Sequence, residues 1–367
     1  MLTELGLDII INSIARQPDG CHVVTAYGAE NFKQNVYGSI SYYLFDDIHI
    51  YDDIIPESHK NNRPGDKIRI LKYITVHDTA NTRKGANAKA HDAYWLNPET
   101  ESSVHYVGGN DGIYHLLPND EWGYHAGDRT LETSEFYTIK TNVPYDRPYP
   151  TVSIRDGEYV INNQLTGVKA PLKADGSLPT TQDIDDLGIY TEEQNGFYAI
   201  GNTWYSKSYD RVCNHGGNRN SIGIEMCVDE GSDLYLTWAY NAKLVARLLK
   251  ENNLPIEAVV QHHYFSGKDC PIAMRHAKLW PMFIKMVKAE YNMLTVLEDY
   301  DVKLYVADTH IKVDGRIIDL PDEAKIINYM VKVEAKPGHK TAVKQKEYIF
   351  TVTLCNRSIV DLGITID

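Results

Sequence analysis

The stretch Ile68-Arg69-Ile70-Leu71-Lys72-Tyr73-Ile74-Thr75-Val76-His77-Asp78-Thr79 decides how the chain is read. Its first nine residues are rich in β-branched and aromatic side chains and form a run typical of a buried strand. The run stops at three polar residues, His77, Asp78 and Thr79. Open α/β sheets collect functional groups at the C-terminal ends of their strands, so His77 is a candidate. A lone histidine at a strand end is also the ordinary place for a satisfied polar group.

Working outward, the flanking segments have an α/β texture. Gly85 to Leu96 is alanine-rich with helical spacing, and Ser103–Val107 and Ile113–Leu117 alternate around Gly108-Gly109-Asn110-Asp111-Gly112 as a hairpin. Ser221 to Val228 reads as a strand. Leu236 to Leu249 reads as an amphipathic helix with Trp238, Ala242, Val245 and Leu249 on one face. Ala258 to Gln261 is a short strand running into His262-His263, and a helix from Met274 to Tyr291 closes the block. Residues 129–216 interrupt it with proline-rich, weakly periodic sequence, expected as a loop-rich insertion ordered against the block.

Two flanks remain. Residues 1–64 read as an accessory unit, with a helix at Leu5–Ile14 and a β-branched, aromatic stretch at Gly38–Ile50, ending at the Pro64-Gly65 turn signal. Residues 293–367 hold closely spaced short strands at Val302–Val306, Ile311–Val313, Ile326–Glu334 and Tyr348–Leu354. Their spacing suggests a small immunoglobulin-like β-sandwich. The block between, 65–292, carries the candidate chemistry.

Composition narrows the classes. With 367 residues the chain is long enough for two or three domains, and 43% hydrophobic residues suffice for buried cores. Acidic residues outnumber basic ones by 50 to 37, a net charge of −13, which argues against gripping nucleic acid or an anionic membrane through bulk charge. No apolar run approaches the roughly 20 residues that span a bilayer. Met1 to Asp8 shows no basic leader before an apolar stretch, so no Sec-type signal peptide is expected. Tyrosine is abundant, 26 residues against 7 Phe, and suits a wet or sugar-lined surface. The five cysteines (Cys21, Cys213, Cys227, Cys270 and Cys355) form no CxxC pair and, Cys270 apart, are expected as buried thiols.

Five residues invite a chemical reading. His262 at a strand end and Cys270 eight residues later, across a Ser-Gly turn, can converge on a metal, although the segment alone also fits a loop with an incidental thiol. With His77 the set becomes two imidazoles and a thiolate, which zinc accepts tetrahedrally, leaving the fourth position to water when the site is catalytic. Glu225 lies inside the apolar strand Ser221-Ile222-Gly223-Ile224-Glu225-Met226-Cys227, where burial raises a carboxyl toward the range useful for proton transfer. Lys268, two residues before Cys270, can stabilise an oxyanion or simply sit in solvent.

Five ordered motifs carry a resemblance. His77-Asp78-Thr79-Ala80-Asn81-Thr82 with Gly85-Ala86-Asn87-Ala88-Lys89-Ala90-His91 opens the series, followed by His105-Tyr106-Val107 and its hairpin. Trp122-Gly123-Tyr124-His125-Ala126-Gly127-Asp128, Asn218-Arg219-Asn220-Ser221-Ile222-Gly223-Ile224-Glu225 and Ser266-Gly267-Lys268-Asp269-Cys270-Pro271 complete it. Together they resemble the type 2 N-acetylmuramoyl-L-alanine amidases, whose fold is shared by phage lysins and peptidoglycan-recognition proteins. The resemblance covers residues 66–128 and 217–291. It implies an α/β fold with a central mixed sheet flanked by helices, and one zinc ion held by His77, His262 and Cys270. It further implies Glu225 as general acid/base and Lys268 as carbonyl-polarising partner, with His105, His125 and Asn220 touching substrate. His262 is preferred to His263 because only the former has the family's spacing to the cysteine. Val104 stands where some members have a tyrosine, which leaves proton transfer to Glu225, and the 129–216 insertion replaces a short loop.

The function so implied is hydrolysis of the amide between N-acetylmuramic acid and L-alanine, with peptidoglycan as partner. The expected setting is a phage lysin, either a cytoplasmic endolysin released to the wall or a virion-tail component contacting other tail proteins. Three alternatives compete: a non-catalytic peptidoglycan-binding module, a structural virion protein with this fold, and a stem-peptide peptidase. An intact Cys270 weighs against the first.

Overall fold

The computed structural model describes residues 2–15, 23–27, 33–68, 71–127, 138–147, 150–170, 172, 176–181, 190–201, 217–266 and 268–358. In chain order it has α1 (Glu4–Ile14), β1 (Val23–Tyr27), β2 (Lys33–Tyr37), β3 (Ile50–Asp52), β4 (Tyr73–Asp78), α2 (Ala88–Trp95), β5 (Tyr106–Gly109) and β6 (Gly112–His115). The insertion contributes β7 (Thr138–Pro144), β8 (Val152–Arg155), β9 (Glu158–Ile161), β10 (Gln164–Lys169), β11 (Tyr190–Gln194) and β12 (Phe197–Gly201). Then come α3 (Gly217–Asn220), β13 (Ser221–Met226), α4 (Leu234–Glu251), β14 (Val259–Gln261), α5 (His263–Ser266), α6 (Ile272–His276) and α7 (Trp280–Leu294), followed by β15 (Tyr300–Val306), β16 (Lys325–Ala335) and β17 (Gln345–Leu354).

The central sheet is mixed, in the order β14-β4-β13-β5-β6-β3. Strands β14, β4, β13 and β5 run parallel, β5 and β6 form the antiparallel hairpin, and β3 adds parallel to β6. Alternation along the strands explains its two faces. Ile74, Val76, Ile222 and Ile224 join Trp238 and Val245 of α4 and Phe283 and Val287 of α7 in one core. Each such side chain contributes about 2–3 kcal/mol on burial. Val107 and Cys227 face the other way, packing with Ala88 and Trp95 of α2. His77, Gly223 and Glu225 fall on this second face by the same alternation. Helix α4 begins at its N-cap, Asp233, whose carboxylate accepts from Leu236 N at 3.0 Å. The helix approaches β5 so closely that a Cβ on Gly108 would lie 2.4 Å from Asn241 Oδ1.

Three expectations need revising. The helix read from Met274 to Tyr291 is broken into α6 and α7 at Lys278, whose φ is +58°, and α7 restarts with Pro281 in its first turn, where proline is tolerated. The insertion is richer in strands than its composition suggested. Its sheets β8-β9-β10 and β7-β12-β11 bury Val143, Tyr159, Ile161, Val168, Tyr198 and Ile200 in a core of their own. The C-terminal region is all-β but is a single antiparallel sheet, β15-β16-β17, among the described residues. In place of a second sheet, Leu7, Ile11 and Ile14 of α1 pack against Tyr329, Val331, Val333 and Val352, so the two flanks share one core. The alternating pattern required a cover for that sheet face and did not say which segment would supply it. The β-branched, aromatic stretch Gly38–Ile50 takes part in isolated bridges (Ala15 with Ser41, Ser39 with Arg316) and contributes the start of β3.

Cys227 and Cys270 are free and buried, whereas Cys355 is disulfide-bonded and departs from the expected thiol. Cys21, Cys213, Asp128 and Gly267 lie outside the described residues. No helix among the described residues is long and apolar enough to cross a membrane.

Candidate metal centre

Parallel pairing of β13 with β4 sets Glu225 directly beside His77. The next strand over, β14, pairs with β4 and hands the chain to His262, whose N–H donates to Val76 O at 3.2 Å. Cys270 returns from the following loop to put its Sγ 3.7 Å from His77 Nδ1, and the His77 and His262 rings stand 4.7 Å apart. One donor atom from each of His77, His262 and Cys270 lies within 4.8 Å of the others, and all three residues are buried. Among the described residues no other His, Cys, Asp and Glu side chains are grouped in this way. His263 is outside the group.

Burial governs the protonation of this cluster. It holds His77 well below the ordinary imidazole range, helped by His262, His125 and Lys268, and lowers His262 to about 3, with Lys268 and His263 adding to the effect. Both rings are therefore neutral, the form that ligates metals. The 3.9 Å approach of His77 Nδ1 to Glu225 Oε1 is for the same reason not an ion pair. Burial pushes the Cys270 thiol up, and Asp78 and Glu225 push it further, so a thiolate here needs a cation beside it. His262 Nδ1 is buried without a hydrogen-bond partner. Two neutral imidazoles, a thiol that ionises only beside positive charge and an orphaned ring nitrogen suit a divalent zinc ion. Glu225 is raised well above the usual carboxyl range by burial and by Asp78, with Lys268 opposing.

The remaining sequence candidates separate into support and surface. His125 Nδ1 lies 3.1 Å from His77 Nε2, and its ring lies on Gly223, where a Cβ would be 2.6 Å from that nitrogen. Asn218 holds it there, accepting from the His125 and Ala126 N–H groups at 2.8 and 2.7 Å. His125 is thus placed to orient a candidate ligand. His105 is fully buried; its Nδ1 accepts from Gly223 N at 3.0 Å, which leaves Nε2 to donate to Glu121 O at 2.8 Å. With both nitrogens committed to main chain it ties β5 to β13 and cannot reach substrate. Asn220, 2% exposed, precedes β13 at the end opposite Glu225, roughly 16 Å away at 3.3 Å per residue, so it too is removed from the groove. Lys268 is exposed beside the cluster and acts electrostatically on His77, His262 and Glu225.

Two features escaped the sequence reading. A cavity of about 330 Å³ adjoins Glu225, walled by Thr79, Asn81, His91, Tyr94 and Trp95. The spacing of His91, Tyr94 and Trp95 on one helical face was its available signal. Asp78, next to His77, is buried and raised to about 6 by desolvation, yet its Oδ2 accepts from Ala273 N at 2.7 Å and pins the start of α6.

Comparison with known proteins follows the same residues. The family model described as N-acetylmuramoyl-L-alanine amidase matches residues 66–273. The chain is 30% identical over 222 residues to the N-acetylmuramoyl-L-alanine amidase CwlH of Bacillus subtilis (strain 168), covering 60% of this chain and 55% of that protein. It is 29% identical over 224 residues to the amidase XlyA of the same organism, covering 61% and 46%. The chain thus spans about half the length of the curated relatives it matches. The solved catalytic domain of XlyA aligns at TM-score 0.40 and 28% identity over 65% of this chain and 99% of that one. PlyL aligns at TM-score 0.39 and 20% identity over 65% and 97%. The matched span runs through the His77 strand and the Cys270 loop and takes in more than half the sequence: the chain belongs to the N-acetylmuramoyl-L-alanine amidase family.

Proposed function

We propose that this protein is a zinc-dependent peptidoglycan hydrolase cutting the amide between N-acetylmuramic acid and L-alanine. The observation that carries the reading is the convergence of His77, His262 and Cys270 beside Glu225 in a chain of this family. Zinc held by those three side chains would supply Lewis acidity toward an amide carbonyl and toward water. Glu225, half-buried and of raised proton affinity, takes a proton from the attacking water on its carboxylate and returns it to the leaving amine nitrogen. Lys268 offers its ammonium to the carbonyl oxygen as negative charge develops. The cavity walled by Tyr94, Trp95 and Asn81 receives the substrate next to Glu225.

In this reading residues 65–292 are the catalytic domain, 129–216 a rim element, and 1–64 with 293–367 an accessory piece for wall binding, spacing or attachment to a phage tail. Contact between β11 of the insertion and α5, next to His262, supports the rim assignment. A phage setting is tested by looking for the protein in purified particles, where a tail lysin is retained and an endolysin is absent.

The deciding experiment digests purified peptidoglycan with wild type and Cys270→Ser, quantifying zinc and reading the products by mass spectrometry. One zinc per chain, with new L-alanine amino termini that disappear in the variant, supports the amidase. Bound zinc with cleavage inside the stem peptide replaces it with a peptidase. Neither zinc nor new termini leaves a binding protein.

A further inference from the structure

Each of the three candidate ligands has a chain neighbour fastened to α6. Asp78, after His77, accepts from Ala273 N at 2.7 Å. Gln261, before His262, accepts through Oε1 from Arg275 Nη1 at 2.6 Å. Asp269, before Cys270, accepts through Oδ1 from Arg275 Nε at 2.6 Å, and its Oδ2 lies 2.7 Å from His276 Nε2. The Arg275 side chain is 6% exposed although Asp269 is 48% exposed, so the guanidinium lies inside the fold between the two segments. One further link, His263 N to Cys270 O at 3.2 Å, runs parallel to it.

From this we propose that Arg275 is a positioning residue that sets the separation of His262 from Cys270, with α6 as the brace of the whole ligand set. The inference rests on the reading that the cluster holds a metal. A guanidinium is planar and presents its N–H groups in a fixed fork, so engaging Gln261 and Asp269 together fixes the distance between the two backbones that carry them. A lysine at this position keeps the charge and loses the fork. Cys270 lies between α5 and α6 rather than in either, so losing the fork loosens the placement of its sulfur against the imidazoles. Loss of such outer partners costs roughly 10–100-fold in metal affinity.

The test titrates the metal-free full chain with Zn2+ against a chromophoric chelator, and records the Co2+ spectrum, whose thiolate charge-transfer band reports ligation by Cys270. Wild type is expected to bind one ion. Arg275→Met should bind about 10–100-fold more weakly with a diminished thiolate band, and Arg275→Lys should not restore it. Asp269→Asn, which alters one leg at a half-exposed position, should weaken binding less while leaving metal-free thermal unfolding unchanged. It decides the matter if the Arg275 variants do not fold. Arg357→Met, which removes a guanidinium paired with Asp319 far along the chain, should bind within twofold of wild type. Arg275→Met and Asp269→Asn both binding within twofold of wild type overturns the brace and leaves the metal centre standing. A wild type that takes up no zinc overturns the metal centre and the brace with it.

Discussion

Glu225 in β13 and His105, just before the neighbouring β5, lie on the same sheet, and burial acts on them in opposite directions. It raises the carboxyl and holds the imidazole down at about 4. On the proposed mechanism, Glu225→Gln removes the proton carrier and keeps the shape, so turnover on peptidoglycan should fall about 10²–10⁴-fold while zinc content by atomic absorption is unchanged. His105 makes a stability prediction. Its folded pKa lies below the ordinary imidazole value, so the unfolded chain binds protons more readily, and its contribution is present above about pH 6.5 and lost as pH falls toward 4. By pH 5 that loss is about 2 kcal/mol relative to pH 7. Urea unfolding at the two pH values should show the drop, and His105→Gln should shrink it. At this scale the residues at strand ends were readable, because a polar side chain ending an apolar run is conspicuous. His105 and Asn220 were harder to place, because a motif lists neighbours in the chain without saying which of them the fold turns inward.

Among the elements, β13 carries the most constraints per residue. Gly223 leaves the space in which the His125 ring lies, so Gly223→Ala should displace that ring, destabilise the protein by about 1–3 kcal/mol and weaken zinc binding, read together in urea and chelator titrations. Asn218→Ala, which frees the His125 segment without crowding it, should weaken zinc binding with little change in thermal stability. In α4, Trp238 is wholly buried between the sheet and α7, and Trp238→Ala should cost about 3–5 kcal/mol by denaturant unfolding. Helix α4 was legible from Trp238, Ala242, Val245 and Leu249, since burial on one face imposes its period. The strands of the insertion were not, because Tyr159, Ile161 and Val168 support only a small core, and in β10 Leu165 is exposed while Thr166 is buried.

Across the whole molecule, the first helix and the last sheet are stitched together. Lys346 Nζ reaches Glu4 and Asp8 at 2.8 and 2.6 Å, and the Tyr348 hydroxyl donates to Asp8 at 2.7 Å, above the apolar contact of Ile11 with Val331 and Val333. Ile11→Ala should cost about 2–5 kcal/mol, and hydrogen exchange should accelerate jointly in α1 and in β16 and β17, leaving β4 and β13 protected. The sequence showed two flanks because they are remote in the chain; no local pattern can announce a partner so distant. That remoteness has a consequence for synthesis. Asp8 and Tyr348 are 340 residues apart, and a ribosome adding about 5–20 residues per second makes the second roughly 15–70 s after the first. Throughout that interval the apolar stripe of α1 is made and its cover is incomplete, so the nascent chain offers Leu7, Ile11 and Ile14 to chaperones and to neighbouring polysomes until β16 and β17 emerge.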